Sequence, residues 1–546
     1  MSGPDGRSAR VRKHWGWGFE DQQPSAADLE TAAATVRERL GFGEAAEQPA
    51  PLDSIELPPP RLAVPAALSE IVGDSHRERV SHALGKAYRD VVRGMRGQVV
   101  NAPDFVARPR NEAEVEAVLS WCSDECAAVI PYGGGTSVVG GIEPRVGDSY
   151  AASVTLDLGA LDRVLEVDLV SNAARIQAGA LGPSLEDQLG EHGLTLRHFP
   201  QSFEYSTLGG WVATRAGGHF ATVLTHIDDL IESVRAISPS GAWESRRLPG
   251  SGAGPSPDRM LIGSEGILGV ITEAWVRVRP RPAHKLSCGA SFDSFAAGVQ
   301  AVRALSQSGL NPANCRLLDP EEAALTNASI DGKAILVLGF ESAAQPVEGL
   351  MHQAVELVGD HGGVAGELRG RPEADGGRGQ DAVGAWRNAF LAAPYLRDTL
   401  VACSVLSETF ETAITWDRFE EFHATVSQAA RQAVAEVTGA PAKGEGAPIF
   451  GCRFTHVYAD GPAPYFTILA PARRGSEVEQ WDEIKAAVSE ALIGAGGTIT
   501  HHHAVGRDHR PWYDLQRPQP FAAALRAAKR ELDPGAILNP GVLIDP

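Results

Sequence analysis

Apolar positions recur with helical spacing over residues 112–122, 185–192, 295–306 and 479–493, and a similar pattern covers 25–40, so each is a predicted helix. Short apolar and β-branched runs at 127–130, 152–156, 175–180, 233–237 and 270–272 are predicted strands. From residue 99 onward the two kinds of run are mixed, an α+β texture. Residues 1–98 differ: they hold a polar start, the aromatic cluster Trp15, Trp17 and Phe19, the first helix and a proline-rich link over 49–60. The two tryptophans are expected to pack on the main body, with a lipid interface or a substrate tunnel as the other reading. Residues 81–88 read as a helix, and Arg89, Arg93 and Arg96 after it as a solvated charged face.

Composition narrows the class. With 546 residues, 43% hydrophobic and 22% charged, the chain is expected to be globular and to form two or three domains. A formal charge of −20 argues against a general nucleic-acid or anionic-lipid surface, so an anionic substrate needs local Arg and His. The six cysteines form no CxxC pair, which predicts neither a disulfide framework nor a zinc knuckle and fits a reducing cytoplasm. No window reaches the roughly 18 uninterrupted apolar residues of a membrane span. No organelle address is visible, and the expected location is cytoplasmic, with peripheral contact at the inner face of a membrane as an extension.

Glycines mark the chemistry. After the strand at 127–130 come Pro131, Tyr132, Gly133, Gly134, Gly135, Thr136 and Ser137, a turn whose consecutive N–H groups can converge on an anion. No Lys-Ser/Thr pair follows, so it is not a P-loop, and it lacks the alternating glycines of the dinucleotide fingerprint. A glycine-rich surface turn is the plain alternative. A second block runs through Pro200, Gln201, Ser202, Ser206, Thr207, Gly209, Gly210 and Thr214, and a third holds Glu265, Gly266, Gly269, Val270 and Ile271. Together the three resemble the bipartite FAD-binding domain of the vanillyl-alcohol-oxidase and D-lactate-dehydrogenase superfamily, in which such segments wrap the cofactor. The resemblance implies a mainly helical N-terminal extension (1–98), an FAD-binding domain (99–280), an inserted α+β cap (281–500) and a C-terminal segment (501–546) completing the active site and FAD domain. It assigns all the residues of the three blocks to FAD; some superfamily members tether the cofactor through His, Cys or Tyr, but no residue here stands out as a tether, so FAD is expected to be held without a covalent bond.

Within that superfamily, four features resemble the alkyldihydroxyacetonephosphate synthase family. They are residues 13–18 (Lys-His-Trp-Gly-Trp-Gly), 314–319 around Arg316, 395–398 with 408–412, and the run His501, His502 and His503. The family implies exchange of the acyl chain of acyl-dihydroxyacetone phosphate for a fatty alcohol, with the substrate carbon held on flavin N5. It also implies small-molecule lipid substrates and a homodimer. By resemblance His502 is the base, His501 and His503 orient it or bind substrate oxygen, and Tyr465 transfers a proton. Arg316 and Arg397 bind phosphate, or hold the flavin or a substrate carbonyl, and Thr409 stands where the family has serine. Gln201 replaces a family carboxylate and Ala504 a family glycine.

Each residue also has an ordinary reading. Three histidines on a strand would alternate faces, putting His501 and His503 together and His502 opposite. Two same-face histidines are half of a tetrahedral site with no carboxylate motif nearby, so no metal is expected. The arginines could be structural ion-pair partners and Tyr465 plain core. The competing activity is FAD-dependent oxidation or dehydrogenation of a 2-hydroxy acid or related alcohol.

Overall fold

The computed structural model describes residues 10–370 and 382–545. Most expected elements form with shifted ends. The first helix is Ala26–Leu40, capped by the Ser25 side chain, and the helix expected at 112–122 is Glu112–Asp124, capped by Asn111. The strand before the glycine turn is Ala128–Tyr132, and it pairs in parallel with Ser153–Asp157. Phe105–Ala107 lies on the other side of Ser153–Asp157, also parallel, and Val72–Gly73 closes this four-stranded sheet antiparallel.

A second, five-stranded antiparallel sheet follows in the order Val164–Asp168, Ala173–Gln177, Val270–Arg277, Ile231–Ser238, Gly241–Glu244. One apolar core spans both sheets and takes in Ile537, Leu538 and Val542 from the chain end. The tail is held there by backbone: Val129 donates to Ile537 and Asn539 donates to Val129, both at 2.8 Å.

The region from 284 to 471 forms a seven-stranded antiparallel sheet in which side chains alternate between two faces. Leu317, Leu336 and Leu338 face a core shared with the helices Phe295–Gln307, Glu348–Asp360, Phe419–Thr438 and Glu477–Gly494. Leu318, Ile335 and Val337 face the other way, onto Trp386 of the helix Ala382–Ala402. Arg316, Ser407, Thr409, Arg453, Tyr465 and Thr467 line a cavity on the sheet.

The N-terminal expectations divide. Trp15 and Trp17 are buried. The helix expected over 81–88 is instead broken, into His76–Ser81 and Tyr88–Met95. Between them Lys86 N–H donates to the Ser137 carbonyl at 2.7 Å, and a side chain at Gly85 would overlap that carbonyl. The break lets backbone lie flat on the glycine turn. The arginines do not form a solvated face either. Arg93 is 9% exposed and bonds Glu143 and Asp90, Arg96 bonds Glu477, and Arg89 approaches Asp482 and Asp508. Carboxylates far away in sequence gather on one helix, which local pattern does not show.

Candidate active site

The glycine turn is an anion cradle by its backbone. Among the described residues no protein group accepts from the N–H groups of Gly133 through Ser137. Five consecutive donors left open at the wall of a cavity fit a pyrophosphate. Gly134 allows the close approach: a Cβ there would overlap the Tyr205 carbonyl. Arg12 then fixes the turn from outside, donating to the carbonyls of Gly134 at 2.5 Å and Tyr205 at 3.1 Å. Gly134→Ala is expected to yield folded protein with little or no flavin absorbance after purification, since the turn cannot keep its position with a methyl group inside it.

The cavity has a volume of about 560 Å³. Every residue assigned to FAD from the sequence lines it except Val270, which is buried within its strand. Thr207 caps the short helix Leu208–Thr214 by accepting from Gly210 N–H, and Ser206 accepts from the Trp211 indole. The Glu265 carboxylate accepts from Val505 and Gly506 N–H at 2.9 and 2.8 Å. It thereby ties the loop after the histidines to the FAD-binding half. Burial raises its pKa to about 7.

His501, His502 and His503 lie in a loop, not on a strand, so the expected alternation of faces does not occur. A buried carboxylate shapes the loop. Glu411, 2% exposed, accepts from the Thr500 hydroxyl and from the backbone N–H groups of His501, His502 and His503, at 2.6–3.0 Å. Burial opposes its charge, but the hydrogen bond from the His502 ring and the ring of N–H and O–H donors around it outweigh that and hold its pKa well below the ordinary value. His502 and His503 line the cavity, whereas His501 turns away and bonds the Tyr458 hydroxyl at 2.7 Å. Burial lowers the pKa of His501 and His503 far enough to keep both neutral. Ala504, where the loop turns, has φ +74°, a region that favours glycine. Ala504→Gly is expected to stabilise the protein by about 0.5–1 kcal/mol, read from the denaturation midpoint.

Tyr465 sits opposite Glu411 on one neighbouring strand and Arg453 on the other. The Arg453 guanidinium lies 3.9 Å from the centre of its ring and bonds Glu322 at 2.8 Å. Arg316 is buried, packs on Trp386 at 4.7 Å and donates to the His219 carbonyl. Burial first, and Arg453 second, bring its pKa down to about 9, which leaves it cationic at neutral pH. Arg397 projects from the helix Ala382–Ala402 and donates to the Lys86 carbonyl, beside the cradle. The two arginines singled out in the sequence thus have different surroundings, and the partner of Arg316 in the cavity is Arg453. Sequence reasoning missed Arg453, Glu411, Tyr458 and His456, although Glu411 lies in the stretch 408–412.

Ring nitrogens of His456, His501 and His502 come within 4.8 Å of one another, close enough to consider a metal. Several are already engaged: His456 Nε2 meets the Gly218 carbonyl, and His501 Nε2 meets Tyr458. The cavity brings together the His502 imidazole, the Tyr465 phenol, the Arg316 and Arg453 guanidinium groups and the open N–H groups of Gly133–Ser137, with an apolar extension lined by Leu325, Ala389, Ala392, Leu400 and Leu469.

These features define a flavoenzyme of the FAD-linked oxidase class: the FAD binding domain family matches residues 103–245, and the family described as FAD linked oxidases, C-terminal domain, matches 281–543. The alkyldihydroxyacetonephosphate synthase of Dictyostelium discoideum is 30% identical, over 87% of this chain and 79% of that protein. The enzyme of the same name from Trypanosoma brucei brucei is 30% identical, over 85% and 77%. A solved structure of an alkyldihydroxyacetonephosphate synthase superposes with a TM-score of 0.78 at 26% identity, covering 97% of both chains. The chain belongs to the alkyldihydroxyacetonephosphate synthase family, and its cofactor is FAD.

Proposed function

We propose that this enzyme exchanges the acyl chain of an acyl-dihydroxyacetone phosphate for a fatty alcohol, making an ether bond without net oxidation. The observation that carries the reading is the cavity itself, where His502, Tyr465 and the Arg316–Arg453 pair meet the FAD cradle and an apolar extension. An oxidase of a small hydroxy acid needs a base and a flavin but no apolar extension beyond them.

When bound by the N–H groups of Gly133–Ser137, FAD would supply an electrophilic centre for the substrate carbon. His502 removes the proton from the carbon bearing the ester and returns a proton to that carbon once the ether bond has formed, which leaves it neutral for the next turnover. Tyr465 protonates the departing carboxylate and receives a proton back when the alcohol enters. Arg316 and Arg453 offer guanidinium forks to the phosphate, and the phosphate charge in turn favours their protonated forms. Leu396, half exposed at the apolar extension, marks where a chain enters and supports a peripheral contact with lipid. No helix among the described residues is long and apolar enough to cross a membrane. FAD is held without a covalent bond, so acid precipitation should release the colour.

The test is incorporation of labelled fatty alcohol into acyl-dihydroxyacetone phosphate by the yellow holoenzyme. Absence of incorporation, with anaerobic bleaching by a simple 2-hydroxy acid, would favour the oxidase reading.

A further inference from the structure

The hydrogen bonds beside the triple histidine can be followed proton by proton from one fixed point. His226 Nε2 lies 3.0 Å from the His501 carbonyl oxygen. A carbonyl only accepts, so this nitrogen carries the proton. Burial lowers the His226 pKa, the ring is neutral, and Nδ1 keeps a lone pair. Thr225 Oγ1 is 3.1 Å from that Nδ1 and gives it the single hydroxyl proton. Thr225 must then accept from the Tyr458 hydroxyl, 3.0 Å away. With its proton committed, the Tyr458 oxygen accepts from His501 Nε2 at 2.7 Å. His501 is neutral as well, so its Nδ1 has only a lone pair to offer. His502 Nδ1 faces it at 3.0 Å and must carry a proton. Glu411 Oε2, 3.2 Å from the same His502 nitrogen, favours the same form.

We propose that Thr225, Tyr458 and His501 form a relay that sets the tautomer of His502, keeping the proton on Nδ1 and the lone pair on Nε2. This rests on the reading of His502 as the base and says why that histidine, of the three, is competent. His502 Nε2 makes no hydrogen bond with any described residue, and its ring lines the cavity. A neutral imidazole with its proton on Nε2 would present a donor there and could not take the substrate proton. Tyr458 is thus a positioning residue. Removing its oxygen leaves His501 Nε2–H buried without an acceptor and favours the other His501 tautomer, whose Nδ1–H would point at His502 Nδ1 and force that proton to Nε2.

The experiment uses holoenzyme labelled with nitrogen-15 at histidine, with His502→Gln identifying the His502 signals. Wild type is expected to show a neutral His502 protonated at Nδ1. In Tyr458→Phe, population should move to the Nε2-protonated form. In the same variant kcat for alkyl exchange should fall about tenfold or more, on the scale of general-base catalysis, with KM and FAD content unchanged. Thr225→Val should behave likewise and Thr225→Ser, which keeps the hydroxyl, like wild type. If Tyr458→Phe does not give folded holoenzyme, the wild-type spectrum and the two Thr225 variants decide. A wild-type His502 protonated at Nε2, or equal kcat in Thr225→Val and Thr225→Ser, overturns the relay. Full turnover in His502→Ala would instead remove the base assignment while leaving the tautomer result standing.

Discussion

Replacing His502 by alanine is expected to leave FAD bound and to lower kcat for alkyl exchange by about 10²-fold or more, the usual scale for loss of a general base. Tyr465→Phe should cost a similar factor through the acid step, again with flavin retained. The expectation of intact flavin rests on position, because the five open N–H groups assigned to the cofactor in our reading belong to Gly133–Ser137, on a different turn. Single-turnover kinetics on the yellow variants separate lost chemistry from lost binding. Unchanged turnover in either variant excludes that residue from its role.

Glu411→Ala is expected to be the most destabilising single change in the cavity wall, by about 3 kcal/mol or more. It leaves the N–H groups of His501, His502 and His503 and the Thr500 hydroxyl without their common acceptor. Glu411→Gln keeps the volume but turns an NH₂ group toward N–H donors, so it should restore little. Chemical denaturation of the holoenzyme measures both, and wild-type stability in Glu411→Ala would show that the loop does not depend on this carboxylate. A pH effect follows with a defined sign. The folded pKa of Glu411 lies well below the ordinary 4.5, so its contribution is present above that value and is lost as pH falls toward the folded pKa. The histidine loop should therefore loosen in acid and not between neutral and mildly basic pH.

The triple histidine shows why part of the site was illegible. Read in sequence, His501–His503 would be a strand with alternating faces; in the molecule one carboxylate, ninety residues earlier, gathers their amides and turns them into a loop. The broken helix after residue 81 has a similar cause. Residues 81–88 read as one helix, but Lys86 and Gly85 pack on the backbone at Ser137, and that contact outweighs local helical propensity. The arginines at 89, 93 and 96 likewise bond carboxylates up to several hundred residues away.

What the sequence determined by itself was whatever rests on local covalent geometry or on short-period burial. A run of glycines makes an open row of N–H groups wherever it is placed, a serine before an apolar helical stretch caps it, and alternating apolar residues make a sheet with two faces. The open row of N–H groups at Gly133–Ser137, most of the elements and the α+β class were therefore readable. What only the tertiary structure decided was which side chains share the cavity and in which protonation state. Arg453 joins Arg316 because adjacent strands bring them to one face, and His502 differs from His501 because its ring lines the cavity beside Glu411 while His501 turns away to Tyr458. Those relations depend on strand order and chain crossing, which no local pattern encodes, and burial then makes them strong by removing the water that would otherwise screen each charge and satisfy each donor.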